Sequence, residues 1–273
     1  MALALPNGLS PSKVDSFQSC PMAFRFSVID RVPERPAVWT TKGTLVHRAL
    51  ELLHTLDGPD RSVEAALDAL DRAITEMQTD PDWTGLDLDD AGRQQLCDDA
   101  ERLVRRSFEL EDHRTIRSIG LELKLEARVG DLVLRGIIDR LDLTDDGQLI
   151  VVDYKTGKVP SERFEAGKLG GVHFYAFLCE QVFGQRPAKV QLHYLAEPVA
   201  IVATPSEQSI RFLPKKAGAV WDAVTKACDR EDFRPRTGPL CTMCAYKRWC
   251  PAFGGDPSRA VEEATAELVG LPA

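Results

Sequence analysis

The chain has 273 residues, of which 44% are hydrophobic and 28% charged, and its formal net charge is −8. This composition is typical of a globular protein with enough apolar material for one large domain. No apolar run approaches the roughly 18 residues of a membrane helix, and MALALPNGLS lacks the basic start of a secretory signal, so a cytoplasmic protein is expected. The acidic balance argues mildly against a nucleic-acid binder, although basic clusters at 25–48 and 226–248 could line a groove.

Helical patterns dominate the first part of the chain. Residues 9–30 open with a helix-start signal, and a proline-containing loop is predicted at 31–37. The apolar spacing in 41–56 predicts an amphipathic helix that begins near Gly43 or Thr44 and carries His47.

Residues 57–112 form an acidic stretch with two helical patterns, at 62–78 and 89–110. The segment around Pro81 and Trp83 between them is predicted to be a loop. We interpret 57–112 as a helical insertion into the surrounding domain.

The next segment predicts a meander of strands at 121–129, 132–143 and 148–155, with a tight turn at Gly130-Asp131. The elements predicted after it are a helix at 161–183, a strand at 189–195, a hairpin within 199–212 and a helix at 214–230. The tail after Gly254 is predicted to be helical or loosely ordered.

The third strand of the meander, LIVVDYKTG, changes character abruptly. Residues 149–152 are apolar and indicate a strand buried on both faces, whereas Asp153 and Lys155 follow at its end. Residues i and i+2 of a strand share a face, so these two side chains lie side by side. Buried charge is costly unless it is paired or bound to a metal. A simple ion pair at the strand end is the alternative interpretation.

Other acidic side chains fall on the neighbouring strands, Glu122 on the first and Asp139 on the second, and His47 lies upstream on a helix. Clustered carboxylates suit Mg²⁺ or Mn²⁺. Such an ion can activate a water and orient a phosphate, while a nearby lysine stabilises negative charge. This combination of carboxylates, a histidine and a lysine favours phosphodiester hydrolysis as the reaction.

The motif series GTLVHRALE (43–51), LELKLE (121–126), GIIDR (136–140) and VVDYKTG (151–157) resembles the RecB-type branch of the PD-(D/E)XK nucleases. The resemblance spans roughly residues 9–253. It implies an α/β fold with a mixed sheet flanked by helices. It also implies a site in which His47, Asp139 and Asp153 bind the metal, Lys155 is catalytic, and Glu122, in preference to Glu126, supports them.

One motif departs from this family. A Gln-x-x-x-Tyr pattern usually follows the D-x-K strand, and here Tyr175 fits while Gly171 occupies the Gln position. Tyr175 is therefore either a nucleic-acid contact or a core aromatic. In the family this Gln supports the active site and the substrate strand, so the resemblance implies altered strand binding in a chain with Gly171.

Seven cysteines are present. Cys241, Cys244 and Cys250 follow a C-x2-C-x5-C spacing, which points to one soft metal site with Cys20 as the candidate fourth ligand. Structural zinc is one interpretation. The three-plus-one arrangement resembles the iron–sulfur staple of AddB-type nucleases, and this resemblance implies a structural [4Fe–4S] cluster. Nearby Lys247 and Arg248, interleaved with aromatics, would suit nucleic acid or form a solvated face.

We therefore expect a single nuclease domain at 1–255, stapled by Cys20 and the 241–250 segment, with a C-terminal tail at 256–273. The expected function is a metal-dependent DNA exonuclease acting on single strands or frayed ends, and the family suggests a helicase or repair partner. The alternative is a non-cleaving DNA-binding or scaffold subunit that retains the nuclease fold.

Overall fold

The computed structural model describes the backbone of residues 2–159 and 162–270, and the side chains of these residues except 162–170. The chain forms two compact units. One, which we call the cysteine unit, comprises Met1–Arg35, Glu126–Arg135 and Arg211–Ala273; the other, the sheet unit, comprises Pro36–Leu125 and Gly136–Ile210. The domain and insertion bounds expected from the sequence stay predictions. The start of the predicted helix at 161–183 and the last three residues of the tail lie outside the described residues.

Along the chain, six helices are followed by three strands, one helix, two strands and two final helices. The helices are Pro11–Ser19 (α1), Pro21–Phe24 (α2), Val38–His54 (α3), Val63–Met77 (α4), Pro81–Thr84 (α5), Asp90–Leu110 (α6), Glu162–Phe183 (α7), Glu207–Arg230 (α8) and Ala260–Leu268 (α9). The strands are Ser118–Val129 (β1), Leu132–Leu143 (β2), Leu149–Lys155 (β3), Lys189–Tyr194 (β4) and Val199–Ala203 (β5). Within the described residues, no helix is both long and apolar enough to cross a bilayer.

The strands form one mixed sheet in the order β1-β2-β3-β4-β5. β2 and β3 are antiparallel, with Arg140 opposite Val152, whereas β3 and β4 are parallel and joined through α7. β4 and β5 are antiparallel again. The expected α/β class, a mixed sheet flanked by helices, is confirmed. β3 is its central strand, which explains why residues 149–152 are almost uniformly apolar.

The core of the sheet unit forms where α3, α4 and α6 pack together and against the sheet. In α3 the buried apolar residues recur at helical spacing, and α4 and α6 present matching stripes. Val152 and Tyr154 of β3 join this cluster. The packing holds α3, which carries His47, beside the end of β3.

The bounds of α3 differ from the sequence prediction, since the helix begins at Val38 rather than near Gly43. Its first turn is rich in β-branched residues with weak helix propensity, so local pattern does not reveal it. Tertiary contact compensates, because the buried Thr41 hydroxyl donates to the carbonyl of Asp82, 2.9 Å away. Asp82 lies in α5, where the sequence predicted only a loop.

A second difference concerns the segment after β5. The predicted hairpin at 199–212 contains only β5 as a strand, and α8 begins at Glu207, seven residues before Pro214. Ser206 and Ser209 explain this start, because the backbone N–H of each donates to the hydroxyl of the other. This reciprocal cap satisfies N–H groups at the helix start.

Candidate metal centre

Two neighbouring strands bring the first pair of carboxylates together. Asp139 directly precedes Arg140 and Asp153 directly follows Val152, so both acids lie one position beyond the Arg140–Val152 pair, at the end of the antiparallel β2–β3 ladder. The backbone N–H of Tyr154 donates to Asp139 Oδ2 across a distance of 2.6 Å. Asp153 is buried, with 6% of its surface exposed. Both acids are therefore fixed by the sheet.

Glu122 reaches the site through an irregularity in β1. Its φ of +43° lies in the left-handed region, which non-glycine residues rarely adopt. Strict alternation along Leu121–Ala127 would leave Glu122 on the same side as the exposed Lys124 and Glu126. The left-handed residue breaks that alternation and re-aims the carboxylate, as bulges do beside active sites.

His47 completes the cluster from α3. Its Nδ1 lies 3.5 Å from Asp139 Oδ2. Ligand atoms of His47, Glu122 and Asp139 all lie within 4.8 Å of one another. They share a cavity with Leu50 and Glu51. One imidazole and two carboxylates at this spacing are a suitable donor set for Mn²⁺ or Mg²⁺.

The cluster carries an excess of negative charge. Burial raises the pKa of Asp153 to about 6 even though Lys155 opposes the shift, and the charge of Asp139 adds to it. Burial and Asp139 likewise raise the pKa of Glu122. Burial alone would lower the pKa of His47, but its hydrogen bond to Asp139 and the surrounding carboxylates raise it. A divalent cation would relieve this repulsion.

Lys155 and Tyr175 border the acids. The Lys155 ammonium contacts Asp153 Oδ2, so the predicted ion pair forms, and Asp153 lies outside the three-residue group described above. Burial raises the pKa of the Tyr175 hydroxyl, and the negative charges of Asp153, Asp139 and Glu122 raise it further. Tyr175 is therefore close enough to these carboxylates to feel their charge. Its ring packs on Gly136, where an added Cβ would come within 3.2 Å of Tyr175 Cε1.

A buried polar network lies beside the strands that carry Asp139 and Asp153. The Arg140 side chain, 1% exposed, forms a bidentate ion pair with Glu111 through bonds of 2.6 and 2.8 Å. Its Nε donates to Asp142 at 2.9 Å, and its Nη1 donates to the Tyr154 hydroxyl at 2.5 Å. His54 Nε2 lies 2.9 Å from the same guanidinium nitrogen.

This network includes a second group with metal-like spacing, made of His54, Glu111 and His113. Burial and Arg140 lower the pKa of His54, so its imidazole is neutral and can accept from Arg140. Because the guanidinium already bonds both Glu111 oxygens and His54, it occupies the position that a cation would take. Arg140 therefore serves as the permanent cation of this group.

The four predicted cluster cysteines meet within the cysteine unit. They line one pocket of about 320 Å³ with mostly apolar neighbours, among them Met22, Phe26 and Phe253. Cys20 is extended (φ −157°) between α1 and α2. Backbone N–H groups donate to three of the sulfurs: Arg236 to Cys20 and Gly238 to Cys241, each at 3.4 Å, and Tyr246 to Cys244.

Lys247 and Arg248, the predicted nucleic-acid contacts, flank this pocket. Lys247 Nζ lies 5.0 Å from the Phe253 ring centroid. Arg248 stacks on the Trp249 ring at 3.9 Å and pairs with Glu267. Tyr246 and Trp249 are themselves buried, so these two aromatics are packing residues of the unit.

Comparison with known proteins shows the family to which this chain belongs. A model described as the PD-(D/E)XK nuclease superfamily matches residues 8–251. The chain belongs to the PD-(D/E)XK nuclease superfamily. Nucleases of this superfamily use divalent metals, which agrees with the acidic cluster.

Two phage proteins and one solved structure are distantly similar to this PD-(D/E)XK chain. The gene 69 protein of Mycobacterium phage D29 is 24% identical over 270 residues, covering 89% of this chain and 96% of that protein. The gene 69 protein of Mycobacterium phage L5 is 22% identical over 300 residues, with the same coverage. A crystal structure from Eubacterium rectale, provisionally named an exonuclease, has a TM-score of 0.54 and 14% identity, and the match covers 89% of this chain and 88% of that one. This last likeness shows the shared fold.

Sequence reasoning about this PD-(D/E)XK site missed the supporting residues. Arg140 directly follows the predicted ligand Asp139, and Tyr154 lies between Asp153 and Lys155. The available signal was that Arg140 shares a face of β2 with the apolar Leu134 and Ile138, since a fully buried arginine needs partners. Its partners Glu111 and His54 are distant in sequence and carry no local signature.

The strained backbone at Glu122 leads to a prediction about stability. In a strand interior, glycine is normally less stable than alanine by roughly 0.5–1 kcal/mol. At a left-handed position the order reverses, so we expect Glu122→Gly to be about 1 kcal/mol more stable than Glu122→Ala. Urea unfolding of the two variants measures this difference. An alanine variant of equal or greater stability would contradict the backbone strain at this position.

The Arg140 network leads to a second prediction. Arg140→Leu leaves Glu111 and Asp142 buried without their cation and should destabilise the fold by about 3–5 kcal/mol. Arg135→Leu, a change on the same strand, removes the exposed ion pair with Glu126 and should cost less than about 1 kcal/mol. Equal losses in urea unfolding would show that the Arg140 network adds no special stability.

Proposed function

We propose that this chain is a metal-dependent DNA exonuclease of the RecB type, acting on single strands or frayed ends in repair or recombination. The observation that carries the proposal is the convergence of His47, Glu122 and Asp139 within 4.8 Å, beside the paired Asp153 and Lys155. The provisional name of the Eubacterium rectale protein, which shares the fold, supports exonuclease action.

His47, Asp139 and Asp153 would hold the Mg²⁺ or Mn²⁺ ion, with Glu122 as a further carboxylate ligand. Such an ion supplies an activated water and neutralises charge on the scissile phosphate. Glu122 joins the ligand set because its carboxylate lies within 4.8 Å of the ligand atoms of His47 and Asp139. The Tyr154 N–H bond fixes the Asp139 carboxylate in the orientation that this role needs.

Lys155 would act on the substrate directly. Burial opposes its charge, but the contact with Asp153 raises its pKa, so the side chain is an ammonium. A fixed ammonium at this position stabilises negative charge that develops on the phosphate and orients the attacking water. Tyr175, beside the same carboxylates, would contact the substrate strand.

Removing either half of the Asp153–Lys155 pair should abolish cleavage. Asp153→Asn and Lys155→Ala are each expected to lower the rate at least 100-fold, measured with end-labelled single- and double-stranded DNA and Mn²⁺. Lys124→Ala, which removes an exposed lysine from β1, is the matched control and should cleave normally. An inactive wild-type chain that still binds DNA would instead favour the scaffold function.

We also propose that Cys20, Cys241, Cys244 and Cys250 hold a structural [4Fe–4S] cluster, as in AddB-type nucleases. N–H bonds to three of the sulfurs and the apolar pocket are features that tune such clusters. A single zinc ion with bonds of 2.3 Å would hold its sulfurs about 3.8 Å apart. Among the described side chains, the groups of three ligand atoms within 4.8 Å do not include these cysteines, so the wider cluster fits better.

The cluster would fix the segment that carries Lys247 and Arg248. Both remain proposed contacts to nucleic acid. Arg248 would exchange its partner Glu267 for a phosphate, while Lys247 has no ion pair among the contacts that the structure describes. The cluster therefore has a structural role in this proposal and no redox step.

Analysis of metal content tests the cluster. The protein purified without oxygen should contain iron and sulfide, and absorb broadly near about 400 nm. Cys250→Ser should lose both, whereas Cys97→Ser, which changes a half-buried thiol of the sheet unit, should keep them. One equivalent of zinc in place of iron and sulfide would contradict the proposal.

A further inference from the structure

Trp39 is a largely exposed aromatic residue near the start of α3. It is 73% exposed, whereas Trp83 and Trp249 are each 5% exposed. A tryptophan ring can bury 150–250 Å² of surface, so an exposed one forgoes a large stabilisation. Thr40 and Lys42, which come soon after it on α3, are polar.

The position of Trp39 on α3 links it to the metal centre. Residues four apart lie along one row of a helix surface, so Trp39, Gly43 and His47 form a single row. The outer surface of the helix carries other residues, among them Thr44 and Arg48. At a rise of 1.5 Å per residue, Trp39 lies about 12 Å along the axis from His47.

Gly43, in the middle of this row, has no side chain. A Cβ at this position would meet only the Thr156 hydroxyl, at 3.4 Å, within a 4 Å radius. Thr156 directly follows Lys155, so the row runs beside the catalytic end of β3. The exposed indole therefore lies on the same helix row as His47, and the glycine between them lies beside Thr156.

We propose that Trp39 is a stacking platform for an unpaired base of the substrate strand, about two nucleotides from the phosphate at the metal centre. This inference rests on the proposed nuclease function and deepens it. The flat ring recognises the π-face of any base, so it binds without sequence preference. It requires an unstacked base, so it selects single strands over intact duplex.

Binding measured without a divalent ion tests the proposal separately from cleavage. A fluorescein-labelled thymidine 12-mer is titrated with protein in EDTA and followed by anisotropy. Base–aromatic stacking of about 1–3 kcal/mol predicts a 5- to 150-fold loss of affinity in Trp39→Ala, while Trp39→Phe retains most of the affinity. A blunt 12-base-pair duplex should bind wild type and Trp39→Ala within about twofold of each other.

Phe212→Ala is the matched control, because Phe212 is 62% exposed and lies on α8 rather than on this row. It should bind the single strand as the wild type does. Oligonucleotides with one abasic position, moved along the strand, add a second readout. One position should weaken binding to the wild type, and Trp39→Ala should be insensitive to it.

Unchanged single-strand binding in Trp39→Ala, an equal loss in Phe212→Ala, or an equal loss on duplex would overturn the inference. Cleavage by the wild type separates this result from the proposed function. Trp39-dependent binding with no metal-dependent cleavage would refute the nuclease proposal alone. Normal cleavage with Trp39-independent binding would refute the stacking platform alone.

Discussion

The buried guanidinium of Arg140 is the interaction on which the metal centre depends. It ties Glu111, at the end of α6, to Asp142 of β2 and to the Tyr154 hydroxyl of β3. Arg140 and Tyr154 are the direct neighbours of Asp139 and Asp153 in the chain. A charge buried this deeply is stable only with all its partners in place, so the network fixes the relative positions of the two strands. The proposed ligands Asp139 and Asp153 are thus held in place by groups outside the proposed ligand set.

The site combines this rigidity with stored strain and repulsion. Glu122 adopts a left-handed conformation that costs of order 1–3 kcal/mol, and burial together with neighbouring carboxylates raises the pKa values of Asp153 and Glu122. A fold tolerates both only when the surrounding structure holds them firmly. The network behind the strands supplies that support, and cation binding would release the repulsion.

Much of this site could be predicted from the sequence, because strand alternation and motif order are local signals. They located Asp139, Asp153 and Lys155 on the correct strands and His47 on the correct helix. Alternation alone would have left Glu122 facing solvent, and only the family resemblance brought it in, since a single left-handed residue leaves no trace in hydrophobic pattern. The early start of α3 was missed for a related reason: Thr41 is held by a tertiary bond to Asp82. That missed turn contains Trp39.

The most direct test of the account is the position of a bound cation. Crystals soaked in MnCl₂ and measured at the manganese edge should show an anomalous peak among His47, Glu122, Asp139 and Asp153. A peak between His54, Glu111 and His113 would contradict the assignment of Arg140 as a permanent internal cation. No peak at the first group with manganese in excess would contradict the acidic cluster as the metal centre.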